Sequence, residues 1–143
     1  MLIQDESNEI EFGSSDFYRE LSPFYNEIRL VSGYFRYSSL IHYWLACRYD
    51  ELKGNMYSFK TPESIINHCK KRYGFVDFDE IDGKQLVSGV ILSLKQNPSI
   101  CDMLYTTSGY HLTFKGSGYL AENNRYGRLL EYLRDTYDRE SFK

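Results

Sequence analysis

Residues 38–50 read SSLIHYWLACRYD. Leu40, Ile41, Tyr43, Trp44, Leu45, Ala46 and Cys47 make this stretch apolar almost all the way round a helix. A helix tolerates that only where other elements cover it on most sides, so the segment is predicted to be a central helix rather than a surface one. Ser38 or Ser39 opens it by offering a side-chain oxygen to the unpaired N–H groups of the first turn. Residues three, four and seven apart share a face, which aligns Ile41, Trp44 or Leu45, and Arg48. A lone cation on such a face needs water or a partner, and Arg48 is therefore a candidate pocket residue. By itself the residue pattern better fits an arginine at a helix end, reaching solvent and complementing the dipole.

On the N-terminal side, NEIEFG (8–13) alternates Ile10 and Phe12 with acids and is predicted to be a short strand with one buried face. Pro23 steers Ser22 away from helical backbone, so Leu21 to Tyr25 reads as extended or turning. Arg29 to Tyr37, with Ser32-Gly33 at its middle, reads as a β-hairpin leading into the central helix. On the C-terminal side, Lys53 to Lys60 has turn chemistry and no repeat. Thr61-Pro62-Glu63-Ser64 is a strong helix start, and the helix is expected to reach Tyr73 with Gly74 as its stop. Its basic end, Lys70-Lys71-Arg72, reads first as cations at a helix C-terminus and only second as a phosphate-steering cluster. His68, alone on this helix, reads as a structural residue.

An acidic connection, Val76 to Asp82, precedes a helix marked by Leu86, Val90, Ile91 and Leu94 and ending near Asn97-Pro98. A short helix (98–104), a strand at Tyr110 to Phe114, and a Gly- and Asn-rich segment, KGSGYLAENNRYG, follow. That segment is the best candidate for a functional loop. A last helix, Tyr126 to Tyr137, has Leu129, Leu130 and Leu133 as its core stripe, with Arg128, Glu131, Arg134 and Asp135 expected outside.

The chain has 143 residues and no Pro/Gly/Ser-rich linker, which predicts one domain of α+β class. A formal charge of -3 argues against general nucleic-acid binding, while leaving room for a specific nucleotide pocket. Cys47, Cys69 and Cys101 are an odd number, far apart, with neither metal-ligand nor disulfide-framework spacing. Reduced thiols, no cofactor and no metal are the expectation. The acidic start and the absence of any long apolar stretch predict a soluble cytoplasmic protein with no membrane span. No P-loop, dinucleotide fingerprint, zinc-protease motif or Ser/His/Asp arrangement is present. Lys115-Gly116-Ser117-Gly118 could let backbone N–H groups approach an anion, but reads first as a flexible turn.

Several stretches, in order, resemble the NADAR (YbiA-like) family. They are Leu21-Ser22-Pro23-Phe24-Tyr25, Ser39-Leu40-Ile41-His42-Tyr43 with Ala46 and Arg48, Phe78-Asp79, Gln96-Asn97-Pro98, Met103-Leu104-Tyr105-Thr106-Thr107, and Asn124-Arg125-Tyr126-Gly127-Arg128-Leu129-Leu130 with Arg134. The resemblance covers about residues 18–137. It implies a mostly helical domain with a few short antiparallel strands and a pocket for a ribosylated nucleobase, in a family of N-glycosidases acting on ADP-ribosylated guanine or riboflavin-pathway intermediates. The family's glutamate and lysine on the central helix fall here on Ile41 and Arg48. Isoleucine cannot move a proton, and arginine stays protonated and cannot form a Schiff base as lysine can. The tryptophan before Asp79 is Phe78, and the W-G part of the later loop is absent. The resemblance therefore implies a degenerate relative, of a kind a virus or mobile element could carry, that binds a nucleotide or ADP-ribose-like ligand through His42, Arg48, Asp79, Asn124 and Arg134 without cleaving it. Two alternatives stay open: an active N-glycosidase recruiting Asp79 or Glu122, and a protein-interaction module using some of the 14 tyrosines.

Overall fold

The structure is a computed structural model describing residues 8–13, 16–74, 83–116 and 118–143. It is α+β and predominantly helical. Among the described residues, four strands, β1 (Glu9–Phe12), β2 (Leu30–Ser32), β3 (Phe35–Tyr37) and β4 (His111–Phe114), form two two-stranded sheets. Five α-helices accompany them: α1 (Leu40–Arg48), α2 (Pro62–Tyr73), α3 (Gly83–Gln96), α4 (Pro98–Thr106) and α5 (Arg125–Thr136). The contacts gather into two units, Pro23–Asn97, and Met1–Ser22 with Pro98–Lys143.

In the Pro23–Asn97 unit, α1 is the buried centre. All seven residues from Leu40 to Ala46 are buried, and α2, α3 and β3 pack on it. Ser39 is the N-cap and accepts the His42 amide at 3.2 Å. α3 comes so close to α1 that a Cβ on Gly89 would collide with the Trp44 indole and the Tyr43 ring. α2 begins with a full capping box between Thr61 and Ser64, and Gly74 ends it. Residues expected as loop from Lys53 onward instead continue a 3-10 helix, Asp50–Ser58, kinked at Asn55. Its one buried anchor is Leu52, so no apolar repeat announces it.

β2 and β3 form the expected antiparallel hairpin around Gly33-Tyr34. Among the described residues, the outer edge of β2 has no neighbouring strand. Gln96 takes its place, accepting the Val31 amide at 2.7 Å and donating to the Val31 carbonyl at 2.9 Å. Asn97 repeats the pattern on Arg29, at 2.8 Å and 2.7 Å. The Gln96-Asn97 pair thus closes the hairpin's free edge with amide bonds of the kind a third strand would make, at solvent-exposed positions.

The other unit is built on β1 and β4, whose pairing is parallel, from Glu9 with His111 to Phe12 with Phe114. This corrects the expectation of antiparallel strands only. About a hundred positions separate the partners, and local sequence carries no sign of which strand will meet which. α5 lies on β4, and Phe12, Phe114 and Tyr126 cluster with ring centroids 5.5–6.1 Å apart. Parallel pairing turns alternate β4 residues away from β1, and side chains from the α5 region meet them. Asn124 accepts the Phe114 amide at 2.9 Å and donates to the Leu112 carbonyl at 2.7 Å, while Glu131 accepts the Leu112 amide at 3.0 Å. A final 3-10 helix, Arg139–Phe142, buries Phe142.

Helix α5 approaches β4 at Gly127, where a Cβ would fall on the Leu112 carbonyl oxygen and the Asn124 amide. Backbone cannot yield as a flexible side chain can. Gly127→Ala is expected to destabilise the protein by about 2 kcal/mol, the scale of overpacking a close contact. A lowered urea midpoint at unchanged slope is the check, and an unchanged midpoint would refute the close approach.

Candidate functional site

The residues singled out from sequence divide between the units. His42 and Arg48 lie on α1; Asn124 and Arg134 lie at the start of α5 and within it; Asp79 lies outside the described residues, as do Asp77, Glu80 and Asp82. Ile41, where the resemblance places the family's glutamate, is fully buried in the core. Arg48 is exposed, with its guanidinium 4.9 Å from the centroid of the Tyr49 ring. Tyr49 in turn stacks on Tyr73 at 3.9 Å. The α2 basic end, Lys70 to Arg72, is exposed, and Arg72 Nε lies 3.8 Å from Glu51. Glu122 is paired with Arg125 at 3.5 Å.

Arg134 was expected outside and is instead buried, its side chain only 3% exposed. Its Nη1 donates to the Thr107 carbonyl and hydroxyl and to the Tyr110 carbonyl, at 2.8–3.1 Å. Nε and Nη2 grip the Asp135 carboxylate, and this bond holds Asp135 below the usual carboxylate range. A leucine stripe shows which face of α5 is apolar, but it cannot show that a planar five-donor head folds back over the loop between α4 and β4. Asn124 sits at the N-cap position in left-handed backbone, and its amide serves β4 rather than the helix end.

His42 is 1% exposed. Its Nε2 lies 2.8 Å from the Phe59 carbonyl, which only accepts, so the proton is on Nε2. Nδ1 then accepts from the Ser39 hydroxyl at 2.6 Å. Burial holds the ring's pKa below its ordinary value, outweighing the Phe59 bond and the charge of Glu63, which raise it. Burial likewise pushes up the thiols of Cys47, Cys69 and Cys101, Cys69 to about 11, which suits packing rather than nucleophilic chemistry.

Beyond the Phe59 backbone lies an open cleft of about 410 Å³. Asn26, Arg36, Ser38, Met56, Tyr57, Phe59 and Lys60 line it. Asn26 ties its two sides together, donating to the Lys60 carbonyl at 2.5 Å and accepting from the Ser38 hydroxyl at 2.7 Å. Arg36 and Lys60 are exposed, and among the described residues their side chains have no hydrogen-bond or ion-pair partner. Tyr57 is 79% exposed, and no carboxylate is among the lining residues. The arrangement suits a ligand with an anionic group for the two cations and a flat ring for the aromatic wall. Sequence reading missed this cleft because its lining comes from three short stretches with no common period.

Among the described residues no group of three or more His, Cys, Asp or Glu is placed to hold a metal, and no helix is long and apolar enough to cross a membrane. Of the tyrosines, Tyr34, Tyr57, Tyr110, Tyr132 and Tyr137 are exposed, while Tyr37, Tyr43 and Tyr126 are buried. Comparisons of the chain with protein-family models, with curated proteins and with solved structures find no match.

Two outcomes follow from the buried groups. Arg134→Met is expected to cost about 3 kcal/mol, because it removes charge-assisted bonds to the Thr107 and Tyr110 carbonyls and to the Thr107 hydroxyl, and calorimetric or denaturant unfolding reads the loss. His42 is neutral in the folded state to a lower pH than when unfolded. Below 6.5 the unfolded chain therefore binds the extra proton first, so stability is full above 6.5 and is lost as pH falls through the lower folded value. Trp44, buried beside Gly89, reports unfolding of its unit by fluorescence. The pH profile of His42→Gln should lack this acid limb, and an identical limb in both proteins would refute the assignment.

Proposed function

We propose that the chain is a divergent NADAR-like protein of the cytoplasm whose Pro23–Asn97 unit binds a nucleotide or ADP-ribose-like ligand, and that the N-glycosidase activity of the family is lost. The cleft carries this reading: about 410 Å³ of open space with two cations, Arg36 and Lys60, beside an exposed tyrosine. That volume lies within the range of small-molecule sites. Arginine and lysine meet phosphate oxygens, Tyr57 offers a face to a base, and Asn26 and Ser38 supply polar atoms at the floor. The loss of cleavage is supported by Ile41, whose apolar side chain in the core can neither protonate a leaving base nor stabilise an oxocarbenium-like centre.

A ligand that binds only the folded protein raises its melting temperature by mass action. ADP-ribose, ADP and guanine nucleotides are each expected to give a saturable shift that weakens with added salt. Arg36→Ala and Lys60→Ala should each lower affinity about tenfold or more, on the 1.4 kcal/mol scale of one phosphate contact, with melting temperature in the absence of ligand unchanged. No shift with any of these ligands, or unchanged affinity in both variants, would sink the proposal, and release of free base at high protein concentration would overturn the loss of cleavage.

A further inference from the structure

His42 does not line the cleft, yet it bonds to the backbone of Phe59, a residue of the cleft's aromatic wall. Phe59 lies between the Asp50–Ser58 3-10 helix and the Thr61 cap of α2, in neither helix. Three contacts hold it there. Its amide donates to the Met56 carbonyl at 3.0 Å, its ring packs on His68 with centroids 5.0 Å apart, and its carbonyl accepts from His42 Nε2 at 2.8 Å. Only the last reaches across to α1, the most buried element of the unit. The Ser39 hydroxyl, by donating to Nδ1, leaves Nε2 as the ring's one donor and aims it at Phe59. On the next residue Asn26 repeats the device, holding the Lys60 carbonyl. Two successive carbonyls are thus held by side chains, Phe59 from the buried side and Lys60 from the cleft itself, and the wall residues Tyr57, Phe59 and Lys60 line the open cleft.

We infer that His42 is a positioning residue of the cleft, whose Nε2–H bond to the Phe59 carbonyl fixes the wall that a ligand meets. Its effect on affinity rests on the binding reading above, whereas its effect on the wall does not. A side chain held within fractions of an ångström by such a partner binds better than one that must be ordered by the ligand.

Two substitutions separate this role from that of an ordinary core histidine. Glutamine places an amide N–H near the position of Nε2, and asparagine near that of Nδ1. Both leave part of the ring's volume empty, so loss of stability does not distinguish them. With ADP as the probe, isothermal titration should show His42→Asn weakened by about tenfold or more and His42→Gln within roughly threefold of the unaltered protein. Amide hydrogen exchange at Phe59 should be faster in His42→Asn and unchanged in His42→Gln. Equal affinity in all three proteins, or equal loss in both variants, overturns the inference. Should the unaltered protein bind no ADP, the binding reading fails on its own account and exchange decides. Faster Phe59 exchange in His42→Asn alone upholds the positioning role, and equal exchange in both variants overturns it.

Discussion

A ladder of only two strands leaves half of its main-chain groups facing outward, and the protein has two such ladders. Water can satisfy those groups where a sheet edge is open, as beside β2, but less readily where a helix is laid against it, as beside β4. Polar side chains stand in for the missing strand in both. Gln96 and Asn97, at the end of α3, cover the outer edge of β2. Asn124 and Glu131, at the start and middle of α5, cover the outward groups of β4. Each amide both donates and accepts, as a strand residue would. The helices consequently meet their strands through specific bonds as well as packing, which fixes register where three or four residues of strand could not.

The same demand explains where most of the chain's conspicuous polar residues go. Of the residues the sequence places in a pocket, Asn124, Arg134 and His42 are each engaged with a backbone carbonyl, as is Asn97 at the hairpin edge. Arg36 and Lys60, which attract no notice in the sequence, keep their charged heads at the cleft. The cleft's two cations are thus side chains on which the scaffold makes no demand.

Much of the helical structure was legible. The all-round apolar run from Leu40 to Ala46, the Thr61-Pro62 start and the Gly33 turn are local signals, and each element formed within a residue or two of its expected place. What was not legible is non-local or aperiodic. Pairing of β1 with β4 depends on residues about a hundred positions apart, and the Asp50–Ser58 3-10 helix has one buried anchor and no stripe. Arg134 was misplaced because helical periodicity predicts which face a residue occupies, not whether its long side chain turns inward to reach Thr107 and Tyr110. For the site, the sequence pointed to α1, but no residue of that helix lines the cleft, and only the folded backbone brings Asn26, Arg36, Ser38, Met56, Tyr57, Phe59 and Lys60 together.

The amide edges also bear on how the molecule ages. Asparagine turns slowly into aspartate when the following residue's backbone nitrogen attacks the side-chain carbonyl and expels ammonia. At Asn97 or Asn124 that change would set a carboxylate oxygen against the carbonyl of Arg29 or Leu112, turning attraction into repulsion. Asn97 is followed by Pro98, whose ring nitrogen has no hydrogen to lose and cannot close the intermediate. Asn124 is followed by Arg125, whose amide is already bonded to the Glu122 carbonyl at the head of a helix. The side chains that replace missing strands are thus set where this chemical clock runs slowly.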